Sequence, residues 1–296
     1  MLACAAAVAA VAGIGIVVRQ RALELKPAAL VRRLPVRDAV VVSIDFAALR
    51  AAGLLQLIEG SRVAQDPEYQ AFVKSSHFDY ARDLDAAAAA FAPNGRFLAL
   101  AGRFDWKGLA NYVKSQGGAC ADGFCRMTGS APDRRISFFP LRSSLMALAV
   151  SQDDSAALRL ESAPGPATRY PDAPLWISLP ASVLSSGDAL PGDAKDFARA
   201  VGGAESVTLA FLPGSPRLAA KLEIRCASAG DAAGVAAQLT QTTASLRGAI
   251  AREGHVPNPA ELSGVLAAGS FRSDGPLVFG EWPIERVFVE SLLGGR

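Results

Sequence analysis

The side chains of this chain that could do chemistry are two histidines, four cysteines and one cluster of carboxylates. The densest polar cluster is His77, Asp79, Asp83 and Asp85. Asp79 and Asp83 stand at i and i+4, so on a helix they share a face. Together with His77 they could offer ligands to a divalent cation. A plainer reading is favoured: acidic residues in the first turns of a helix suit its dipole, and Arg82 lies among them. No metal site is therefore expected, with His77, Asp79 and Asp83 as weak candidates only.

Cysteine spacing says more. In Cys120-Ala-Asp-Gly-Phe-Cys125 the dipeptide Asp122-Gly123 favours a two-residue type I′ turn. Counting outward, Ala121 faces Phe124 as the hydrogen-bonded pair, and Cys120 faces Cys125 at a non-hydrogen-bonded pair. Such a pair holds its α-carbons about 4.5–5.5 Å apart, a separation that a disulfide accepts. A structural disulfide is the expectation. A redox-active pair would sit in a hairpin, without the helix N-terminus that lowers a thiol pKa. Zinc would need two further ligands, of which only Cys226 is at hand. His77 and His255 have no usable constellation beside them. The chain carries no Gly-x-Ser-x-Gly, no phosphate-binding loop and no His-Glu-x-x-His helix. A net charge of +2, with no basic run interleaved with aromatics, argues against nucleic acid. No cofactor is expected, and the sequence names no small-molecule ligand.

The elements that must position these residues can be read from periodicity. Phe97 to Phe104 has strand length, Asp105 can cap the following helix, and Trp106, Leu109, Ala110 and Val113 are spaced to face a core. Ala39 to Asp45 reads as a buried strand and Phe46 to Glu59 as an amphipathic helix. Tyr80 to Phe91, including the run Ala86 to Ala90, reads as a helix stopped by Pro93-Asn94-Gly95. Further strands are expected at 135–141, 144–151, 207–212, 219–225, 268–272 and 277–282, and a long helix at 229–252. Pro283 is expected at the first position of a last helix that turns Val287, Phe288, Leu292 and Leu293 inward.

Composition and the amino terminus bound the class. Of 296 residues 51% are hydrophobic and 20% charged, ample for a core. Leu2 to Val18 is an uncharged run at the lower limit, about 17 residues, for a helix that crosses a bilayer. It reads as an anchor because no small-x-small cleavage site follows; Cys4 precedes most of the run, which argues against lipidation. The organisation expected is a transmembrane or signal-anchor helix at 1–20, a basic Pro-punctuated linker at 21–37, and α+β halves at 38–162 and 163–296. Each half would be a mainly antiparallel sheet with helices on one face. Asp172-Ala-Pro-Leu-Trp-Ile-Ser-Leu179 repeats the pattern of Asp38-Ala-Val-Val-Val-Ser-Ile44 with one residue inserted, which suggests internal duplication, with Ala39 to Ile44 and Leu175 to Leu179 at equivalent positions in two sheets or symmetric positions in one.

Asp38-Ala-Val-Val-Val-Ser-Ile-Asp-Phe-Ala-Ala-Leu49, Phe78-Asp-Tyr-Ala-Arg-Asp-Leu84 and Gly102-Arg-Phe-Asp-Trp106 resemble a family of uncharacterised bacterial membrane-anchored proteins. The resemblance implies an apolar start followed by a duplicated α+β region outside the cytoplasm, and it carries no catalytic residue. Orientation divides the indicators. Arg19, Arg21, Lys26, Arg32, Arg33 and Arg37 follow the apolar run, which by the positive-inside rule keeps the domain cytoplasmic. The paired cysteines favour an oxidising compartment such as the periplasm, and the extracytoplasmic side is the reading adopted. The sequence thus points to a membrane-tethered, non-enzymatic binding or scaffold domain, with an envelope protein as the candidate partner. The alternative is an envelope enzyme, thiol-redox or hydrolase, whose site assembles from distant residues.

Overall fold

The computed structural model describes residues 25–55, 66–129, 131, 133–161, 170–184, 200–214 and 217–294. The apolar run Leu2–Val18, Cys4 and the boundary at residues 162/163 lie outside them. Among the described residues no helix is long and apolar enough to cross a membrane.

Near-continuous apolar runs and alternating runs both become strands, and all of them join one sheet. The strands are β1 (Val40–Asp45), β2 (Leu84–Ala92), β3 (Gly95–Gly102), β4 (Ala119–Ala121), β5 (Phe124–Thr128) and β6 (Arg135–Arg142). After them come β7 (Leu145–Ser151), β8 (Leu175–Pro180), β9 (Ser206–Leu212), β10 (Leu218–Arg225), β11 (Ser270–Asp274) and β12 (Leu277–Ile284). They form a 12-stranded sheet in the order β11-β12-β10-β9-β8-β1-β2-β3-β7-β6-β5-β4, with every pairing antiparallel. The protein is therefore α+β, but its halves do not close separate sheets. They meet where β1 pairs with β8, Ser43 opposite Trp176 and Val42 opposite Ile177. The two repeated sequence segments are these two strands. Outward from that seam the first side runs β1-β2-β3-β7-β6 and the second β8-β9-β10-β12-β11. The same order of connections is thus used twice, and the first side adds the hairpin β4–β5 at its edge.

One face of the whole sheet carries most of the helices. Over the first side lie α2 (Phe46–Ala51), α3 (Pro67–Ser76), α4 (Tyr80–Asp83) and α5 (Trp106–Ser115). Phe46, Leu49, Leu109 and Val113 pack there with Leu100, Phe138 and Met146. Over the second side lie α6 (Ala181–Leu184), α7 (Ala229–Arg252), α8 (Leu262–Ala267) and α9 (Arg286–Gly294). Ala232, Leu239, Val265 and Phe288 cover Leu222, Ile224, Val278 and Trp282. Val287, expected to turn inward, is instead exposed.

Among the described residues the opposite face is covered only on the first side. Here the stretch expected as a linker contains a helical turn, α1 (Pro27–Val31), with Leu30, Val31 and Leu34 buried. A 3₁₀ turn, Ala156–Leu160, joins it. These press on Val41, Ala88, Ala90, Phe97, Ala99, Ala147 and Ala149, all essentially sealed from water.

Two departures from the expected elements have different causes, and that second cover explains the first. Only Tyr80–Asp83 is helical, and the alanine run Ala86 to Ala90 is strand β2. Alanine is a strong helix former, but here Ala86, Ala88 and Ala90 face α1 while Ala87 packs on the helix-bearing face. Small side chains suit a strand pressed between two layers, so packing overrides propensity. At the carboxyl end Pro283 lies in β12 opposite Ala219, and the last helix begins at Arg286. β11 pairs with β12 only as far as Glu281, so the proline stands beyond the neighbour's end, where its missing N–H costs no ladder bond.

Candidate functional site

The polar cluster singled out in the sequence lies where α3, α4 and α5 meet. His77 ends α3 with a left-handed backbone, φ 56°, and its N–H closes the helix on the Val73 carbonyl at 2.9 Å. Asp105 caps α5, accepting the Gly108 N–H at 3.0 Å through Oδ1. Gly108 must stay without a side chain, because a Cβ would stand 2.6 Å from the Ser76 carbonyl oxygen. This close approach sets His77 Nδ1 3.2 Å from Asp105 Oδ2. The bond from Gly108 and then the one from His77 hold the Asp105 carboxyl below its ordinary range.

Asp79 and Asp83 do other work. Asp79 Oδ1 caps α4 through the Ala81 N–H at 3.0 Å and accepts the Tyr69 hydroxyl proton at 3.1 Å. Tyr69 in turn accepts the Tyr80 N–H at 3.2 Å, and burial pushes its phenol well above the usual range. Asp83 is buried, its carboxylate gripped by Arg82 at 2.8 and 3.1 Å and reached by Arg103 at 3.4 Å. It also accepts the Asp79 N–H at 2.9 Å. Burial alone would raise the Asp83 pKa; the bonds from Arg82 and Asp79 and the nearby cations outweigh it, and the net direction is down. Arg50 ties α2 into the same junction, donating to the carbonyls of Ala81 at 2.9 Å and Leu84 at 2.7 Å. The three weak metal candidates thus point to three different partners. Among the described residues no group of three or more His, Cys, Asp or Glu is disposed to hold a metal.

What the sequence missed is the pairing of His77 with Asp105, 28 positions apart. An imidazole oriented by a carboxylate is half of a general-base arrangement. Among the described residues no serine, threonine or cysteine is bonded to His77, whose side chain is 71% exposed. Also missed is the aromatic surface around the junction. Ring centroids step from Tyr80 to Tyr69 at 5.5 Å, Tyr69 to Phe72 at 6.4 Å and Phe72 to Phe78 at 6.3 Å. The path continues from Phe78 to Phe104 at 5.5 Å and Phe104 to Trp106 at 5.2 Å, with Tyr112 edge-on to Phe72 at 4.9 Å. Every one of these rings is only partly buried. A hollow of about 480 Å³ opens beside them, lined by Tyr69, Val73, Lys74, Asp79, Tyr80 and Arg82.

The cysteine hairpin stands at the sheet's edge as its spacing requires. Asp122 and Gly123 both have positive φ, 50° and 81°, and Cys120 pairs with Cys125 across β4–β5. Their sulfurs are bonded at 2.03 Å with α-carbons 4.1 Å apart. Cys125 is buried against the first-side core. Cys226 is a free, buried thiol whose pKa is raised by that burial.

No protein-family model matches the chain, and no curated protein does. Solved structures do. Crystal form I of TP0453 is similar over 91% of this chain and 97% of its own, at 12% identity and a TM-score of 0.52. Crystal form III is similar over 90% and 98%, at 10% identity and a TM-score of 0.51. At such identity the likeness is one of fold.

Proposed function

We propose that the protein is a membrane-tethered domain of the cell envelope, exposed outside the cytoplasm, that binds or scaffolds a partner and does not catalyse a reaction. The observation that carries the binding reading is the run of partly buried aromatic rings from Tyr80 to Trp106, with its hollow, on the helix-bearing face. Aromatic residues supply large contact area at low entropic cost, and they are enriched where proteins bind. The Cys120–Cys125 bond supports an oxidising compartment, and the apolar run Leu2–Val18 supports the tether. The repeated strand order supports descent from a duplicated unit, within the family of membrane-anchored proteins that the sequence resembles.

The test has two arms. A reporter active only after export, fused behind Arg296, should be active; activity only from a cytoplasm-dependent reporter overturns the location. A photo-crosslinking residue at Lys74 should capture one discrete partner in intact cells, and a Tyr69→Ala, Phe72→Ala variant should lose it. A crosslinker at Glu223, on the far face, should capture none. The same adducts at both positions would remove the binding role from the aromatic surface.

A second reading, an envelope hydrolase, has one observation in its favour, the His77–Asp105 pair. If hydrolysis of simple ester substrates by the purified protein falls at least tenfold on His77→Ala, that reading displaces the first.

A further inference from the structure

The two edges of the sheet are unlike. In a two-residue hairpin the residues flanking the turn bond to one another, and outward-pointing groups then alternate. At the β4 edge only Cys120 turns its N–H and C=O outward, on a strand of three residues pinned by its disulfide. At the other edge β11 has five residues in unbroken register with β12 across the Gly275-Pro276 turn. Asp274, Arg272 and Ser270 bond inward, so Phe271 and Ser273 present two N–H and two C=O groups outward. Among the described residues none of these four has a hydrogen-bond partner. The strand holds no proline, lysine or bulge, devices by which exposed edges are usually blunted.

We propose that β11 is the seam of a two-fold dimer, pairing antiparallel with β11 of a second copy of this chain about Ser273. Charge order chooses both partner and register. With Ser273 opposite its own counterpart, Arg272 of each copy faces Asp274 of the other, two opposite-charge pairs at the close, non-hydrogen-bonded positions. A register centred on Arg272 would set the two arginines against each other. Arg272 is already held against the open face of the sheet, its guanidinium 4.5 Å from the Phe279 ring centroid. Because β4 offers so little edge, the contact is isologous and closes on itself, giving a dimer and not a fibre.

The experiment is cysteine crosslinking of the full-length chain in its native membrane, in a Cys4→Ser background. Residues opposite each other at a hydrogen-bonded pair lie about 5.5 Å apart at Cα, within reach of a disulfide. Ser273→Cys should therefore give a band of twice the monomer mass on mild oxidation. Adding Asp274→Arg, or Arg272→Asp, should reduce that band at least fivefold. Combining the two, which restores the charge order in reverse, should bring it back. The substitutions are on exposed positions, and unchanged protease resistance checks folding. No dimer band from Ser273→Cys, or equal bands from the single and double charge variants, overturns the proposal. Crosslinking only to a different protein overturns it too.

Discussion

The two sides of the sheet share an order of strands and differ in what covers them. One row of paired residues runs across the molecule on the face opposite most helices: Ser270, Glu281, Lys221, Ala210, Trp176, Ser43, Ala88, Ala99, Ala147 and Phe139. Its charged members stand on the second side, where no described element covers the face. From Trp176 onward the row is apolar or small, because α1 and the 3₁₀ turn lie over it. Along β10, Lys221, Glu223 and Arg225 alternate with buried Ala220, Leu222 and Ile224, the pattern of a one-sided antiparallel sheet. Along β3 and β7 the alternation disappears, because both faces are dry. Connectivity can therefore be repeated while the residue pattern diverges, since each strand's pattern answers to the layers above and below it.

The largest effect should come from forcing one side to resemble the other. Ala99 and Lys221 occupy corresponding strands, β3 and β10, in the same row. Ala99 is 0% exposed, so Ala99→Lys buries an unpaired charge and should cost at least ~4 kcal/mol, leaving little folded protein. Lys221→Ala should change stability by no more than ~0.5 kcal/mol, as surface substitutions do. Urea unfolding of the two variants checks the contrast. If Ala99→Lys unfolds like the parent, α1 does not seal that face.

The same contrast accounts for what the sequence made legible. β10, the Asp105 cap, the long helix α7 and the cysteine hairpin follow from local chemistry: alternation, a capping carboxylate, helical period and a turn dipeptide. Strand β2 did not, because a strand covered on both faces by close-packed neighbours can be all alanine, and alanine alone reads as helix. The covering element was hidden for a related reason. Five residues, Pro27–Val31, among several cations look like a tether until Leu30 and Val31 are seen buried. Symmetric places for β1 and β8 were legible from the repeat, but their direct pairing in one sheet was not, since it connects residues some 130 positions apart. The His77–Asp105 pair failed to show for the same reason of distance, although the Asp105 cap that builds half of it was legible.

A middle-sized effect should come from the β4–β5 hairpin, which among the described strands belongs to the first side alone. The Cys120–Cys125 bridge closes a loop of about six residues, which by chain-entropy reasoning removes about 2 kcal/mol of freedom from the unfolded state. A double Cys→Ser variant should therefore fold with a melting temperature lower by about 4–8 °C. Amide exchange should quicken at β4 and β5 and stay unchanged at β11 and β12, at the other end of the sheet. Exchange rising across the whole sheet would mean that the two edges are coupled, and the picture of an added, separable hairpin would fail.

The smallest effect tests the seam itself, through its hydroxyls. Ser43 of β1 lies between Trp176 and Ala88, is 1% exposed, and its hydroxyl has no hydrogen-bond partner among the described residues. Two rungs of other strands treat the same group differently. Ser178 Oγ of β8 lies 3.0 Å from Thr208 Oγ1 of β9, and Ser137 Oγ of β6 accepts the Ala157 N–H at 3.2 Å. A buried polar atom without a partner costs its desolvation with no return, whereas a bonded one contributes a net of about 1 kcal/mol. Ser43→Ala should consequently leave stability unchanged or raise it by up to ~1 kcal/mol. Ser137→Ala should lower it by ~1–2 kcal/mol, since it strands the Ala157 N–H in a buried site. The two substitutions delete the same atom from the same face, so the difference in sign isolates the hydrogen bond from the loss of volume. A Ser43→Ala variant that loses stability as Ser137→Ala does would show that the seam hydroxyl is bonded after all, with an internal water as its partner.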